Sequence, residues 1–324
     1  MRKEVGVCIP CFNEQDNVVL MAESLIALFE EKLPQYDYHI MFIDNHSTDN
    51  TRPLLREICK KYPQVRAIFN AHNYPNNSGA YGIMNCMGDC VIAMPCDFQV
   101  PLDLIPQMLE KWENGARIVA LVKTSCDESG FMWGIRQLYY GLQKRFSDGE
   151  LLTNFGGGGL YDNSFIEMAR GVRDPIDSWT GLVAAYGSKL EVLEFHQLAR
   201  RAGRSKSNLW HLIDVAVLRF TASSTIGPRI ATIIGFLLSI LSAFCGVLYL
   251  ILKLCFWDMF SAGTAPLLIG VFFLGAVQLF FIGLVGEYAV QANIRLMRRP
   301  LVAEDERLNF PEGSPTWDEL KRFN

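Results

Sequence analysis

The chain has 324 residues, enough for one large or two medium domains, and a formal net charge of −4. That balance excludes the global basic signature of a nucleic-acid binder. Half of the residues are hydrophobic and the mean hydropathy is +0.15, an excess concentrated after about residue 229. The distribution points to a polar-surfaced domain joined to a membrane part.

The N-terminus "MRKEVGVCIPCFNEQ" does not read as a signal peptide, because its apolar run is short and Pro10, Asn13 and Glu14 break it. The first large domain is therefore expected in the cytoplasm. Nine scattered cysteines, with no repeated CxxC pair, read as small buried thiols in a reducing compartment.

"EVGVCIP" at 4–10 predicts a short apolar strand. The next stretch, "NEQDNVVLMAESLIALFEEKL", has helical periodicity with Asn13 as a plausible N-cap. "YHIMFIDNHSTDNT" predicts a buried strand ending in polar residues, and "TRPLLREICKKY" a helix. "VRAIFN", "SGAYGIMNCM" and "CVIAMPCD" continue as strand, helix and strand. This β-α-β-α-β-α-β order predicts an α/β fold with a mostly parallel, nucleotide-binding sheet. Polar clusters close three of the strands: Pro10 to Glu14, Asp44 to Asp49, and Asp97 to Gln99. In an open α/β sheet such ends line one crevice. No G-x-G-x-x-G or G-x-x-x-x-G-K-[ST] occurs, which removes support for a Rossmann dehydrogenase or a P-loop enzyme.

Residues 207–229 predict a juxtamembrane amphipathic helix. Leu209, Ile213, Ala216, Val217 and Phe220 form its apolar stripe, with Trp210 and His211 at headgroup level; a soluble helix packed on the enzyme domain is the alternative. Two uncharged runs follow, 230–252 and 265–286, each long enough to cross a hydrocarbon core. The short turn between them predicts a transmembrane hairpin. Arg219 and Arg229 before it, and Arg295, Arg298 and Arg299 after it, place both ends in the cytoplasm. Residues 1–206 would form the cytoplasmic domain, and 287–324 a cytoplasmic tail.

The ordered set "IPCFNE", "FIDNHSTDNT", Gly88-Asp89 and "CDFQVP" resembles the nucleotide-sugar domain of family 2 glycosyltransferases. "GGGGLYD" at 156–162, "GRSKSNLW" at 203–210, the hairpin and "GLVGEY" running into "RRP" are similar to the polyprenyl-phosphate glycosyltransferases within it. The resemblance covers about residues 4–302 and implies a GT-A-like fold. It implies transfer of a sugar, with inversion, from a nucleotide-diphosphate donor to undecaprenyl or another polyprenyl phosphate at the cytoplasmic face of the inner membrane. A UDP-hexose is the favoured donor. Pro10, Asn13, Glu14, Asp44 and Asp97 would bind the nucleotide sugar; for Glu14 a solvated first-turn carboxylate is the alternative. Asp49 reads as a cap of the turn into the next helix.

The family's metal motif, Asp-x-Asp-x-Gln, here reads Pro95-Cys96-Asp97-Phe98-Gln99. Asp97 and Gln99 would hold Mg²⁺ or Mn²⁺ with one carboxylate fewer, and Cys96 would stay out. Arg136 matches the family's phosphate-binding arginine. With Arg204 and Lys206 it would meet the lipid phosphate. Asp162 matches an acidic position assigned to sugar hydroxyls or acceptor alignment, so Asp97, Asp162 and Arg136 form the expected catalytic set. Relatives carry a basic residue before "GLV", where this chain has Trp179-Thr180. Copies associating through the hairpin are a further expectation. The competing readings are a family 2 transferase with another acceptor and an inactive membrane scaffold of the same fold. No Gln-x-x-Arg-Trp run of the processive members occurs.

Overall fold

The computed structural model describes residues 2–125, 152, 154–172, 179–198, 300–311 and 314, with scattered helical positions between 244 and 292. By contacts the chain divides into two compact units: Met1–Ile213 with Arg299–Asn324, and Asp214–Arg298.

The first unit is built on one eight-stranded sheet of order β7-β5-β6-β4-β1-β2-β3-β8. Its first half follows the sequence pattern closely: β1 (Glu4–Cys11), α1 (Val18–Lys32), β2 (Asp37–Asp44), α2 (Thr51–Lys61), β3 (Val65–Asn70), α3 (Ser78–Asn85) and β4 (Cys90–Ala93). These four strands are parallel neighbours. The second half holds α4 (Leu104–Glu113), β5 (Ile118–Ser125), β6 (Phe155–Asp162), α5 (Asn163–Gly171), α6 (Trp179–Tyr186), β7 (Leu190–His196) and β8 (Glu304–Leu308). β6 runs antiparallel to β4 and β5, β7 runs parallel to β5, and β8 runs antiparallel to β3. Six strands therefore point one way and two the other, the mostly parallel α/β sheet that the sequence predicts.

Period-two alternation sends side chains to both faces of each central strand. Val5, Val7 and Ile9 of β1, with Ile40 and Phe42 of β2, face a core shared with α1, α2 and α4. Cys8, Met41 and Ile43 face a second core under α3, α5 and α6. α1 buries Val18, Met21, Ala22, Leu25, Leu28 and Phe29, the i, i+3, i+4, i+7 stripe of a core-facing helix. Each of the larger side chains among these contributes about 1.5–3 kcal/mol of transfer free energy. The N-cap position of α1 belongs to Asn17 rather than Asn13, because a turn over Glu14 to Asn17 precedes the helix.

The expected tail contributes a strand. β8 completes the sheet edge beside β3, and its neighbours tie it down. Tyr81 donates to Glu304 at 2.6 Å, Arg56 pairs with Glu306 at 2.7 Å, and Asn309 donates to the carbonyls of Cys59 and Val65. The buried cysteines Cys8, Cys11, Cys59, Cys86, Cys90 and Cys96 are all free thiols, as the sequence reading expects.

In the second unit the described positions are helical and leave Phe244, Ile251, Leu267, Val271, Ile282 and Val285 exposed. Among the described residues no helix is long and apolar enough to cross a membrane. The amphipathic stretch at 207–229 lies outside the described residues, as do nearly all positions of the run 230–252 and part of the run 265–286.

His39 of β2 is buried, with Nδ1 3.0 Å from Glu4 Oε1 and Nε2 3.5 Å from Cys86 Sγ. Burial holds its pKa below the ordinary 6.5, although Glu4 pulls the other way. The unfolded chain thus takes up this proton first as the pH falls. The contribution is complete above the ordinary value and is lost as the pH drops through the depressed one. The melting temperature of the purified chain should fall as the pH drops below the ordinary histidine value of 6.5, and His39→Gln should flatten that fall. A wild-type slope retained in the variant would exclude His39 as its source.

Candidate active site

Parallel strands carry all their carboxyl ends to one edge of the sheet. In register, Cys11 lies opposite Asp44, Asp44 opposite Phe69, and Cys8 opposite Ala93. The segments that follow, Pro10–Glu14, Asp44–Asp49, Asn70–Tyr74 and Pro95–Gln99, therefore share that edge. Side chains bind these loops to one another. Asn13 donates its N–H to Ser47 Oγ at 2.8 Å, and its Oδ1 accepts from Thr48 N at 2.7 Å. Glu14 N donates to Thr51 Oγ1 at 2.9 Å. Asn45 reaches Asn73 Oδ1 at 2.6 Å and accepts from Asn70 and from Tyr74 N.

Asp44 is fully buried in this wall. Its Oδ2 accepts from Arg52 Nε at 2.6 Å and from Ser47 N at 3.1 Å. Among the described residues no donor reaches its Oδ1. A buried carboxylate oxygen without a donor carries a desolvation cost of about 1–3 kcal/mol, which a ligand N–H can recover. His46, two residues on, lies in the left-handed region at φ 65°, with Nδ1 buried and, among the described residues, likewise unpartnered. The His72 ring lies 6.1 Å from His46 and 6.2 Å from Tyr74.

Asp97 is 3% exposed and accepts from Gln99 N at 3.2 Å. Phe98 between them has φ 57°, a kink that turns the chain after β4. Burial and the carboxylates of Glu14 and Asp97 push the Cys96 thiol well above its ordinary range. Cys96 packs in the core with Cys11 and Met94, and a protonated core thiol is no ligand for a hard cation. Asp97 and Gln99 offer hard oxygens, a donor set that fits Mg²⁺ or Mn²⁺ once phosphate oxygens and water are added. Among the described residues no three His, Cys, Asp or Glu side chains cluster as a metal site.

The structure thus brings Pro10, Asn13, Glu14, Asp44, Asp97 and Gln99 to one edge. Asn13 acts within it as a clamp on the β2–α2 loop. Glu14 Oε2 accepts from Asn17 at 2.6 Å, so the carboxylate engages its own turn. Asp49 accepts from Thr51 N at 3.0 Å, the capping contact read from the sequence. Arg136, Arg204 and Lys206 lie outside the described residues.

Asp162 is not part of this crevice. β6 is antiparallel to β4, so Asp162 pairs with Cys90 at the far edge of the sheet, while Gly159 pairs with Ala93. The glycine run, and not the acid after it, points toward the crevice end. Gly159 has φ 150°, and a Cβ there would meet Val119 O at 2.2 Å, so only glycine permits this strand pairing. Asp162 caps α5 through Ser164 N at 2.9 Å and accepts from Trp112 Nε1 at 2.8 Å. Burial pushes its pKa up, but the Ser164 and Trp112 hydrogen bonds and the nearby Arg117 outweigh burial and hold it below the ordinary value.

The model of the family described as "Glycosyl transferase family 2" matches residues 6–168. The chain belongs to glycosyl transferase family 2. It is a glycosyltransferase. Its relatives include a prophage bactoprenol glucosyl transferase homolog of Escherichia coli K12, 26% identical over 92% of this chain and 97% of that protein. The SfII prophage-derived bactoprenol glucosyl transferase of Shigella flexneri is 28% identical over 92% of this chain and 96% of its own length. An undecaprenyl-phosphate 4-deoxy-4-formamido-L-arabinose transferase of Pseudomonas fluorescens is 26% identical over 96% of this chain and 92% of its own.

Sequence reasoning missed Arg52 and the end of β3. The stretch "NAHNYPNN" after β3 is a fourth polar strand end, and the rule that singled out the other three would have found it. Arg52 gave no periodic signal, because its role depends on the α2 turn beside Asp44.

Asp162→Ala should cost about 1 kcal/mol of stability through the lost cap and leave kcat unchanged. Denaturant unfolding and turnover on one preparation test this. A large loss of kcat at unaltered stability would return Asp162 to the chemistry.

Proposed function

We propose that this chain moves a hexose from a UDP-sugar to polyprenyl phosphate at the cytoplasmic face of the inner membrane, inverting the anomeric centre. The observation that carries the reading is the full-length match to relatives named for bactoprenol and undecaprenyl phosphate, each covering at least 92% of this chain. The uncharged runs at 230–252 and 265–286, and the exposed apolar side chains of the second unit, support a membrane anchor and a lipid acceptor.

The donor's base would meet Asp44, whose unpartnered Oδ1 suits a lactam N–H of the kind uracil and guanine carry. Asp97 and Gln99 would hold Mg²⁺ or Mn²⁺ together with the donor diphosphate. When bound, the cation neutralises charge on that leaving group. A lipid monophosphate is already anionic at neutral pH, so its oxygen attacks without a strong general base. Rate then comes from positioning and charge compensation. Arg136, Arg204 and Lys206 are the residues proposed to meet the lipid phosphate.

The test is a donor panel of UDP-glucose, UDP-N-acetylglucosamine and GDP-mannose with undecaprenyl phosphate, with and without Mg²⁺ or Mn²⁺. A lipid-linked hexose of inverted configuration is expected from a UDP donor. Asp97→Asn should lower kcat on the order of a hundredfold or more, and retention of most activity would remove the metal assignment. Arg204→Ala should raise the apparent KM for the lipid. A change in donor affinity alone would refute its placement.

A further inference from the structure

The side chain that holds Asp44 is itself held from a distant part of the chain. Arg52 uses three nitrogens on three partners. Nε donates to Asp44 Oδ2 at 2.6 Å, Nη1 to Asp305 Oδ2 at 3.1 Å, and Nη2 to the Asn70 carbonyl in a short bond. Its side chain is 18% exposed and Asp44 is fully buried, whereas Asp305 is 46% exposed on β8. A guanidinium is planar, so three anchors on three nitrogens fix its plane as well as its position. A fixed plane fixes the carboxylate it pairs with, and Asp44 Oδ1 keeps one direction.

We propose that Arg52 and Asp305 are positioning residues of the donor site: β8 orients Arg52, Arg52 locks one oxygen of Asp44, and the other oxygen reads a ring N–H of the donor base. The proposal rests on the reading that Asp44 meets that base. It makes the strand following the second apolar run a working part of nucleotide selection. The selectivity has a simple origin. Uracil and guanine present a lactam N–H, which a fixed carboxylate oxygen accepts. Cytosine presents a bare ring nitrogen at the same place, and two lone pairs repel. Loosening Arg52 relaxes this distinction and leaves the diphosphate contacts alone. A lysine at position 52 keeps the charge but has no fork to hold the plane.

The experiment is titration of the purified full-length chain with UDP, GDP and CDP in Mg²⁺, without lipid. The wild type should bind UDP or GDP more tightly than CDP. Asp305→Asn should weaken the preferred lactam nucleotide about three-fold, the scale of a half-exposed ion pair, and leave CDP unchanged. Arg52→Lys should weaken it on the order of tenfold, and Asp305→Glu should restore wild-type preference. In turnover, Asp305→Asn should raise the donor KM and leave kcat and the lipid KM as they are. An unaltered preference in Asp305→Asn overturns the proposal, and so does an equal loss for all three nucleotides, which marks a general structural effect. A wild type with no preference for a lactam base overturns both the Asp44 reading and the proposal. A chain that shows the expected pattern yet transfers nothing to polyprenyl phosphate refutes the acceptor reading alone.

Discussion

A buried carboxylate sets the terms for this crevice. Asp44 ends β2 with no exposure, where an isolated charge is expensive to desolvate. Its cost is met on one side only, by Arg52 and the Ser47 amide. Arg52 in turn lies 5.4 Å over the Phe69 ring, which shields the pair from water on that flank. Removing one member of such a pair leaves the other charge uncompensated, which is far worse than losing a surface contact. The β2–α2 turn, the first turn of α2 and the end of β3 are therefore constrained together. The clamps from Asn13 and Asn45 lie in the loops that this constraint already places.

The antiparallel strand β6 solves a different problem. A parallel sheet grows only through crossovers, and each crossover delivers another loop to the same edge. Inserting β6 antiparallel beside β4 reverses that direction, so its glycine end approaches the crevice and its acidic end departs. Gly159 lets the two backbones close on Val119, and Gly158 would place a Cβ 3.4 Å from Ala93 O. The wall beside β4 is thus backbone with little side-chain bulk, which suits close approach of a ligand.

The half of the fold that was legible has strong local signals. β1 to β4 and α1 to α3 are apolar runs and amphipathic helices whose partners follow in sequence, so periodicity finds them. β6 is nearly invisible to that method. Its stretch "FGGGGLYD" has low strand propensity, and its pairing with β4 and β5 comes from tertiary context. β8 is hidden for another reason. "EDERL" has no apolar alternation, because an edge strand pairs on one side and carries its contacts as ion pairs to Arg52 and Arg56. The site divides along the same line. Asp44 and Asp97 are found as polar ends of apolar strands. Asp162 misleads because the residue order cannot reveal that its strand is reversed, and the reversal puts it at the wrong edge.

The edge strand changes how the chain is to be divided. In sequence, the two apolar runs separate Glu304–Leu308 from the rest of the catalytic unit, yet these residues pair with β3 and contact Arg52 and Arg56. A strand paired to a preformed edge gains its full ladder only if the chain returns to that edge. The catalytic sheet is therefore complete only after the apolar segment has been made and the chain has come back. A truncation before residue 299 would remove more than a tail. It would expose the β3 edge, free Arg52 from one of its three anchors, and leave the orientation of Asp44 to the two that remain. The sheet edge that carries Arg52 and Asp44 is thus linked to the apolar segment by chain topology itself.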